Sequence, residues 1–472
     1  MVMGGEVRLT LAPDSVRIIG VEKGGMALDL TEGSITRRLL LFALPLMVGN
    51  LLQQLYNVAD TLIVGRFLGA DALAAVGSAY ALMVFLTSVL FGLCMGSSAF
   101  FAMQFGRRDM ERLKNSLFLS FLLIGAVTVV MNALVFAGLD WIVRALQAPE
   151  TVAPLMRQYL FVIFFGIPAT FLYNYFANLL RAVGNSVTPL VFLAVSAVLN
   201  IALDLLFVLV FRWGVAGAAI ATVVAQYVSG LGIAAYGMLR FPELRVERRH
   251  MHWDTAVVRE IAGLSVLTCV QQSVMNFGIL MVQGLVNSFG KIVMAAFAAA
   301  VKIDSFAYMP VQDFGNAFST FIAQNYGAGN GERIRRGVKS AVGTAFLFCA
   351  VISLAVCLLA RPLMGLFVQP EEVEIIAVGV GYLRIEAACY FGIGLLFLLY
   401  GFYRAVGRPG MSVVLTVISL GTRVALAYLL SAMPQVGVTG IWVSVPIGWA
   451  LADLAGVGYY LKHKTMLLRA RQ

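Results

Sequence analysis

Residues 36–69 read TRRLLLFALPLMVGNLLQQLYNVADTLIVGRFLG, an apolar run long enough to cross a bilayer as a helix, yet it carries the carboxylate Asp60. An acid at membrane depth costs several kcal/mol unless it is protonated, paired or turned to water, so Asp60 reads as functional. Asn50, Gln53 or Gln54, Asn57 and Asp60 recur at helical three-to-four spacing, which gathers amides and acid on one face that cannot look at lipid. Pro45, about four turns below Asp60, removes a backbone bond and predicts a hinge.

Working outward, the 472 residues are 60% hydrophobic and only 12% charged, too little polar surface for a soluble fold. Apolar segments of helical length recur and strand-like alternation does not, so the class is an all-α membrane protein. Twelve helices are expected at roughly 36–65, 72–105, 113–138, 152–181, 187–211, 215–240, 256–288, 293–326, 337–360, 374–403, 410–432 and 437–461. The five cysteines sit in apolar runs without metal or disulfide spacing. A formal charge of +10 reflects basic loops rather than nucleic acid: Arg and Lys cluster in alternate connections, among them Arg107, Arg108 and Arg112, Arg245 to Arg249, Arg333 to Lys339, and Arg404 with Arg408. Both termini are thereby placed in the cytoplasm and the chain in the cell membrane. Residues 1–35 read as a loose tail, with the segment from Met26, MALDLTEGSITRR, resembling a start of its own.

The polar break FPELRVERRHMHWD, residues 241–254, divides the chain into halves that echo each other: MQFGRRDMER at 103–112 and AQNYGAGNGER at 323–333, RAVG at 181 and 404, WGVAGAAI at 213 and VGVTGIWV at 436. Domain bounds follow as a 1–35 tail, an N-lobe of six spans over 36–240, a linker at 241–255, a C-lobe of six spans over 256–462 and a 463–472 tail. An even number of spans per repeat sets both halves the same way up, related by a pseudo-twofold axis along the membrane normal, with a cavity between them.

A second intramembrane acid, Asp204, follows Asn200 by one helical turn, and Thr222 on the next span reaches a similar depth, on the order of 10 Å from the outer helix ends. Two carboxylates, an amide and a hydroxyl make a cation site: hard oxygens suit Na+, and paired acids hold a proton. The corresponding place in the second half, Ile279 to Met281, is apolar, so ion chemistry is expected mainly in the first. The amide stripe returns on the seventh span as Thr268, Gln272, Asn276, Gln283 and Asn287. Gln272, Asn276 and Gln283 therefore join Asn50, Gln53 and Asn57 as cavity candidates. Asp304 and Asp313, beside Pro310 on the eighth span, are further candidates as acids attracting a cationic ligand. GxxxG at Gly65 to Gly69 and Gly92 to Gly96 allows close helix approach.

The sequence resembles the multidrug and toxic compound extrusion (MATE) transporters from Thr31 to Lys464, on LPLMVGNLLQQLYNVADTLIVGRFLGADALAAVG, RAVGNSVTP, LNIALD followed by Thr222, and QNYGAGN. The resemblance implies two six-helix lobes, alternating access, and export of amphipathic, often cationic small molecules driven by inward flow of Na+ or H+. It assigns the coupling ion to Asp60, Asn200, Asp204 and Thr222, and the bending first-helix proline to Pro45. Some members carry an acid on the seventh helix for a second ion site; none stands here, and Asp304, Asp313 and Glu386 are the substitutes. No cofactor is expected beyond the coupling ion, and the chain is read as a monomer in the lipid bilayer. The alternative in the same superfamily, a flippase of lipid-linked sugars, calls for a strongly cationic cavity, whereas acids and amides dominate the expected lining. A membrane-embedded enzyme lacks support: no catalytic residue is assigned, His250, His252 and His463 are placed in loops, and no HExxH, GxSxG or GKS/GKT motif occurs.

Overall fold

A computed structural model describes residues 18–19, 27–146 and 149–468. The expectations for residues 1–17 and 20–26, Met26 as a start included, and for the last four residues of the C-terminal tail lie outside the described residues. So do the side chains of Ile279 and Leu280. Among the described residues, eleven helices and one bent pair are long and apolar enough to cross a membrane: α1 Ile35–Leu68, α2 Ala70–Arg107, α3 Met110–Ala137, α4 Ala153–Ala182, α5 Val187–Val210, α6 Gly214–Arg240, α7 Thr255–Asn287, α8 Lys291–Gly327, α9 Gly331–Met364, the bent pair α10 Val373–Ala387 with Tyr390–Ala405, α11 Pro409–Ser431 and α12 Val438–Leu467. The halves of α10 meet at 52°. Leucines such as Leu44, Leu55 and Leu62 remain exposed along α1, as a lipid-facing stripe requires. α1 runs unbroken through Pro45. His463 lies in α12 rather than a loop, because the helix continues past its apolar part to Leu467.

Local chemistry sets several ends. Asp109 accepts from Arg112 N at 3.0 Å and starts α3, and Asp254 accepts from Ala256 N and Val257 N at 2.9 and 3.2 Å and starts α7. Between α6 and α7 the linker folds back on α3, where Asn115 Nδ2 donates to the carbonyls of His250 and His252, both at 2.9 Å.

The halves pack as two lobes, α1–α6 and α7–α12, touching where α2 lies on α7 and α8 and where α1 lies on α8. Gly92 and Gly96 let α2 approach the backbone of Cys269 and Ser265 on α7, as the GxxxG spacing predicts. The other pair differs: Gly65 meets only the Leu73 side chain, and Gly69, with φ +89°, ends α1 instead. At the end of the molecule bearing the basic clusters, the repeated motifs meet each other. A Cβ on Gly106 would strike the carbonyl oxygen of Gln324, and one on Gly327 that of Met103. This reciprocal backbone contact seals the lobes together.

The loose tail expected over residues 1–35 fails for its last third. Ala27–Leu28 pairs antiparallel with Ile18–Ile19, and the chain then wedges between the lobes with Leu30 fully buried. Leu28 N donates to Gly184 O at 3.0 Å in the first lobe. Leu30 N donates to Gln324 Oε1 at 3.3 Å, and Leu30 O accepts from Asn325 Nδ2 at 3.1 Å in the second. Arg333 binds the carbonyls of Glu32 and Gly33 at 2.6 and 2.8 Å. Backbone groups supply most of these bonds, so the segment's side-chain pattern gave no sign of them.

Candidate cation site and central cavity

α1, α5 and α6 bring Asp60, Asn200, Asp204 and Thr222 together. The carboxyl groups of Asp60 and Asp204 meet side chain to side chain, with Asp204 fully buried and Asn200 1% exposed. With its amide oriented to satisfy both neighbours, Asn200 Nδ2 donates to Asp204 Oδ2 at 3.0 Å and its Oδ1 accepts from Thr222 N and Oγ1 at 3.2 Å. Thr222 Oγ1 also reaches Ala218 O at 3.1 Å, within its own helix. Immediately after Asp204, α5 widens into a π-helical turn over Leu205–Val210, a local form that recurs at functional sites. Oδ1 of Asp60 and Oδ1 of Asp204 are buried and accept no hydrogen bond. Two carboxyl groups in contact repel unless a cation or a proton lies between them, and two unbonded hard oxygens suit either.

Sequence reasoning missed the aromatic hydroxyls. Tyr56 meets Thr222 and lies close to both acids, Tyr56 and Tyr80 line the adjoining cavity, and Tyr159 lies within electrostatic range of both acids. Tyr56 was findable, since it stands four residues before Asp60 on the face already singled out.

Asn200 and Thr222 form part of the wall of a cavity of ≈ 480 Å³ between the lobes, lined also by Pro45, Asn50, Gln53, Asn57, Tyr80, Arg181 and Asp313. A recess of ≈ 70 Å³ adjoins it, sharing Asn50, Arg181, Asp313 and Asn316 and adding Arg404. Asn50 Nδ2 donates to Asp313 Oδ1 across the lobes, and Asn57 Nδ2 donates to Gln54 Oε1 at 3.3 Å.

Several expectations for the lining do not hold. Gln272 reaches only a narrow crevice beside Gln312 and Arg404. Asn276 and Gln283 line neither cavity, and Gln283 donates instead to Asn287 Oδ1 at 2.8 Å. α7 is packed mainly against α2 and α11, which keeps its amide stripe off the cavity wall. Asp304 is turned into the second lobe, where Tyr390 Oη donates to Oδ1 at 2.6 Å and Tyr382 Oη to Oδ2 at 3.4 Å. Glu386 and Arg423 lie within electrostatic range of it. Nor do acids outnumber bases on the cavity wall, since its charged residues are Arg181 and Asp313, with Arg404 in the recess. Arg404 belongs to a stretch read as a loop, but α10 carries it inward and leaves it 4% exposed.

The chain is a helical, multi-pass membrane protein with two repeat-related lobes around a polar cavity. The MatE family model matches residues 45–206 and 266–429, so the chain belongs to that family. It is 30% identical over 439 residues to the probable multidrug resistance protein YpnP of Bacillus subtilis (strain 168), covering 92% of this chain and 96% of that protein. Another relative, a FAD transporter of Shewanella oneidensis, is 25% identical over 451 residues, covering 92% and 96% respectively. In structure the chain is similar to an outward-facing multidrug resistance MATE family transporter of the MOP superfamily, with a TM-score of 0.87 at 23% identity over 93% of this chain and 98% of that one.

Proposed function

We propose that the protein is an antiporter of the cell membrane that exports amphipathic compounds, often cationic, in exchange for H+ or Na+, acting as a monomer with both termini cytoplasmic. The observation that carries this reading is the contact between Asp60 and Asp204, braced by Asn200 and Thr222, which themselves form part of the wall of the cavity that would hold cargo. An entering ion neutralises the acid pair and favours one packing of α1 against α5 and α6. Asn50 ties α1 to Asp313 of the other lobe, so a shift in α1 reaches the cavity floor. Ion and cargo then couple because each binds two lobe arrangements with different affinity. For a cationic cargo, Asp313 is the acid on the cavity wall that would face it.

The test is efflux from proteoliposomes under separately imposed proton and sodium gradients, with wild type and Asp60→Asn. Gradient-driven efflux should be lost in the variant while the protein stays folded. Full efflux by Asp60→Asn would overturn the mechanism, and the effective gradient identifies the ion.

A further inference from the structure

The inner end of the cavity holds more positive charge than an exporter of cations needs. Arg181 and Arg404 both line the ≈ 70 Å³ recess, one from each lobe, and both open the repeated RAVG segments, so they are counterparts about the pseudo-twofold axis. Arg404 is buried, yet the partners of its guanidinium are neutral: Nε donates to Ser319 Oγ at 3.3 Å and Nη2 to Asn316 Oδ1 at 3.1 Å. Arg181 leaves Nε buried without an acceptor. Asp313 is the one acid lining the recess; it is within electrostatic range of Arg181, its Oδ1 is held by Asn50, and its Oδ2 is buried without a hydrogen-bond partner. Two arginines and one aspartate line this confined space, leaving an excess of positive charge, and a buried charge without a partner is expensive.

We infer that this recess binds an oxyanion, a carboxylate or phosphate ester, at the end of an amphipathic cargo whose apolar body lies along the larger cavity. The inference rests on the antiport reading above and, in place of its often cationic cargo, names organic anions and zwitterions. Guanidinium forks match the paired oxygens of such groups, and two forks related by a twofold axis match them from both sides. The recess is too small for a whole cargo molecule but takes a head group, and it is continuous with the cavity through Asn50, Arg181, Asp313 and Asn316. Position gives the pair a second role. Ser98 of the recess is eight residues from the Gly106 seal on α2, about 12 Å at helical rise. An anion bridging the two lobes there favours the arrangement in which that end is shut. Removing it leaves two like charges facing each other across the lobe boundary.

The test measures binding of three probes sharing one ring system, 1-naphthyl phosphate, 1-naphthylacetate and 1-naphthylmethylammonium, to purified full-length protein by titration calorimetry. Both anions should bind wild type about tenfold or more tighter than the ammonium. Arg181→Gln and Arg404→Gln should each weaken the anions by about tenfold and leave the ammonium unchanged or tighter. Ammonium binding equal to anion binding in wild type, no binding of either anion, or equal loss of all three probes in the variants would overturn the assignment. Arg404 also joins α10 to α8, so if Arg404→Gln unfolds, Arg181→Gln carries the test alone. Efflux assays with the same probes separate the two proposals. Export of the ammonium alone sinks the anion site and spares antiport, whereas anion binding as expected without gradient-driven export of any probe does the reverse.

Discussion

Asp60 and Asp304 show how one residue type at membrane depth serves different ends. Asp60 keeps an oxygen unbonded and faces a second acid, whereas Asp304 receives two tyrosine hydroxyls inside the second lobe. The difference predicts opposite phenotypes. Tyr390→Phe removes a 2.6 Å bond to a buried acid and should lower stability by about 1–3 kcal/mol, read as a lower thermal midpoint, with gradient-driven efflux retained. Tyr56→Phe, which takes a hydroxyl from Thr222 beside the acid pair, should leave the midpoint in ion-free buffer within about 1 kcal/mol of wild type. It should, however, shrink the increase in midpoint that added coupling ion produces. An unchanged ion response would remove Tyr56 from the site.

At the scale of elements, the seal and the N-terminal strap set which face of the cavity is shut. Gly106 and Gly327 are confined by the opposite backbone, so Gly106→Ala forces α2 from α8. The lobes should separate at that end, measurable as a longer distance between spin labels at Met110 and Ala328. The strap, the segment from Ala27 to Ser34 wedged between the lobes, holds the same end through Asn325 and Arg333. Asn325→Ala with Arg333→Ala should lengthen that distance, and raise protease cleavage before Ser34, without altering the helices. Gly184 has φ +91° and lies against the Leu28 carbonyl, so Gly184→Ala should loosen the strap from the first lobe in the same assay.

For the whole molecule, the repeat is symmetric in its scaffold and asymmetric in its chemistry. Both lobes supply six spans, a glycine to the seal and an arginine to the recess, but the paired acids belong to the first and the tyrosine-bonded acid to the second. A ligand shifts a two-state equilibrium only by its differential affinity for the states. Changing the coupling ion should therefore move the Met110 to Ala328 distance in wild type and in Asp304→Asn, but not in Asp60→Asn. Movement in Asp60→Asn would place the ion elsewhere.

The spans, the two-lobe repeat and the polar face of α1 were legible in the sequence, because bilayer thickness and helical periodicity are local constraints that every segment must satisfy by itself. Asn50, Asn57, Asp60 and Asp204 could be named as polar residues that lipid would not tolerate. Tertiary structure alone decided which of them meet. It turned Asp304 inward to Tyr390, drew Arg404 out of an apparent loop into the cavity, and tucked Leu30 between the lobes. Such outcomes depend on how helices far apart in the chain pack and on backbone hydrogen bonds, neither of which is recorded in the composition or spacing of any single segment.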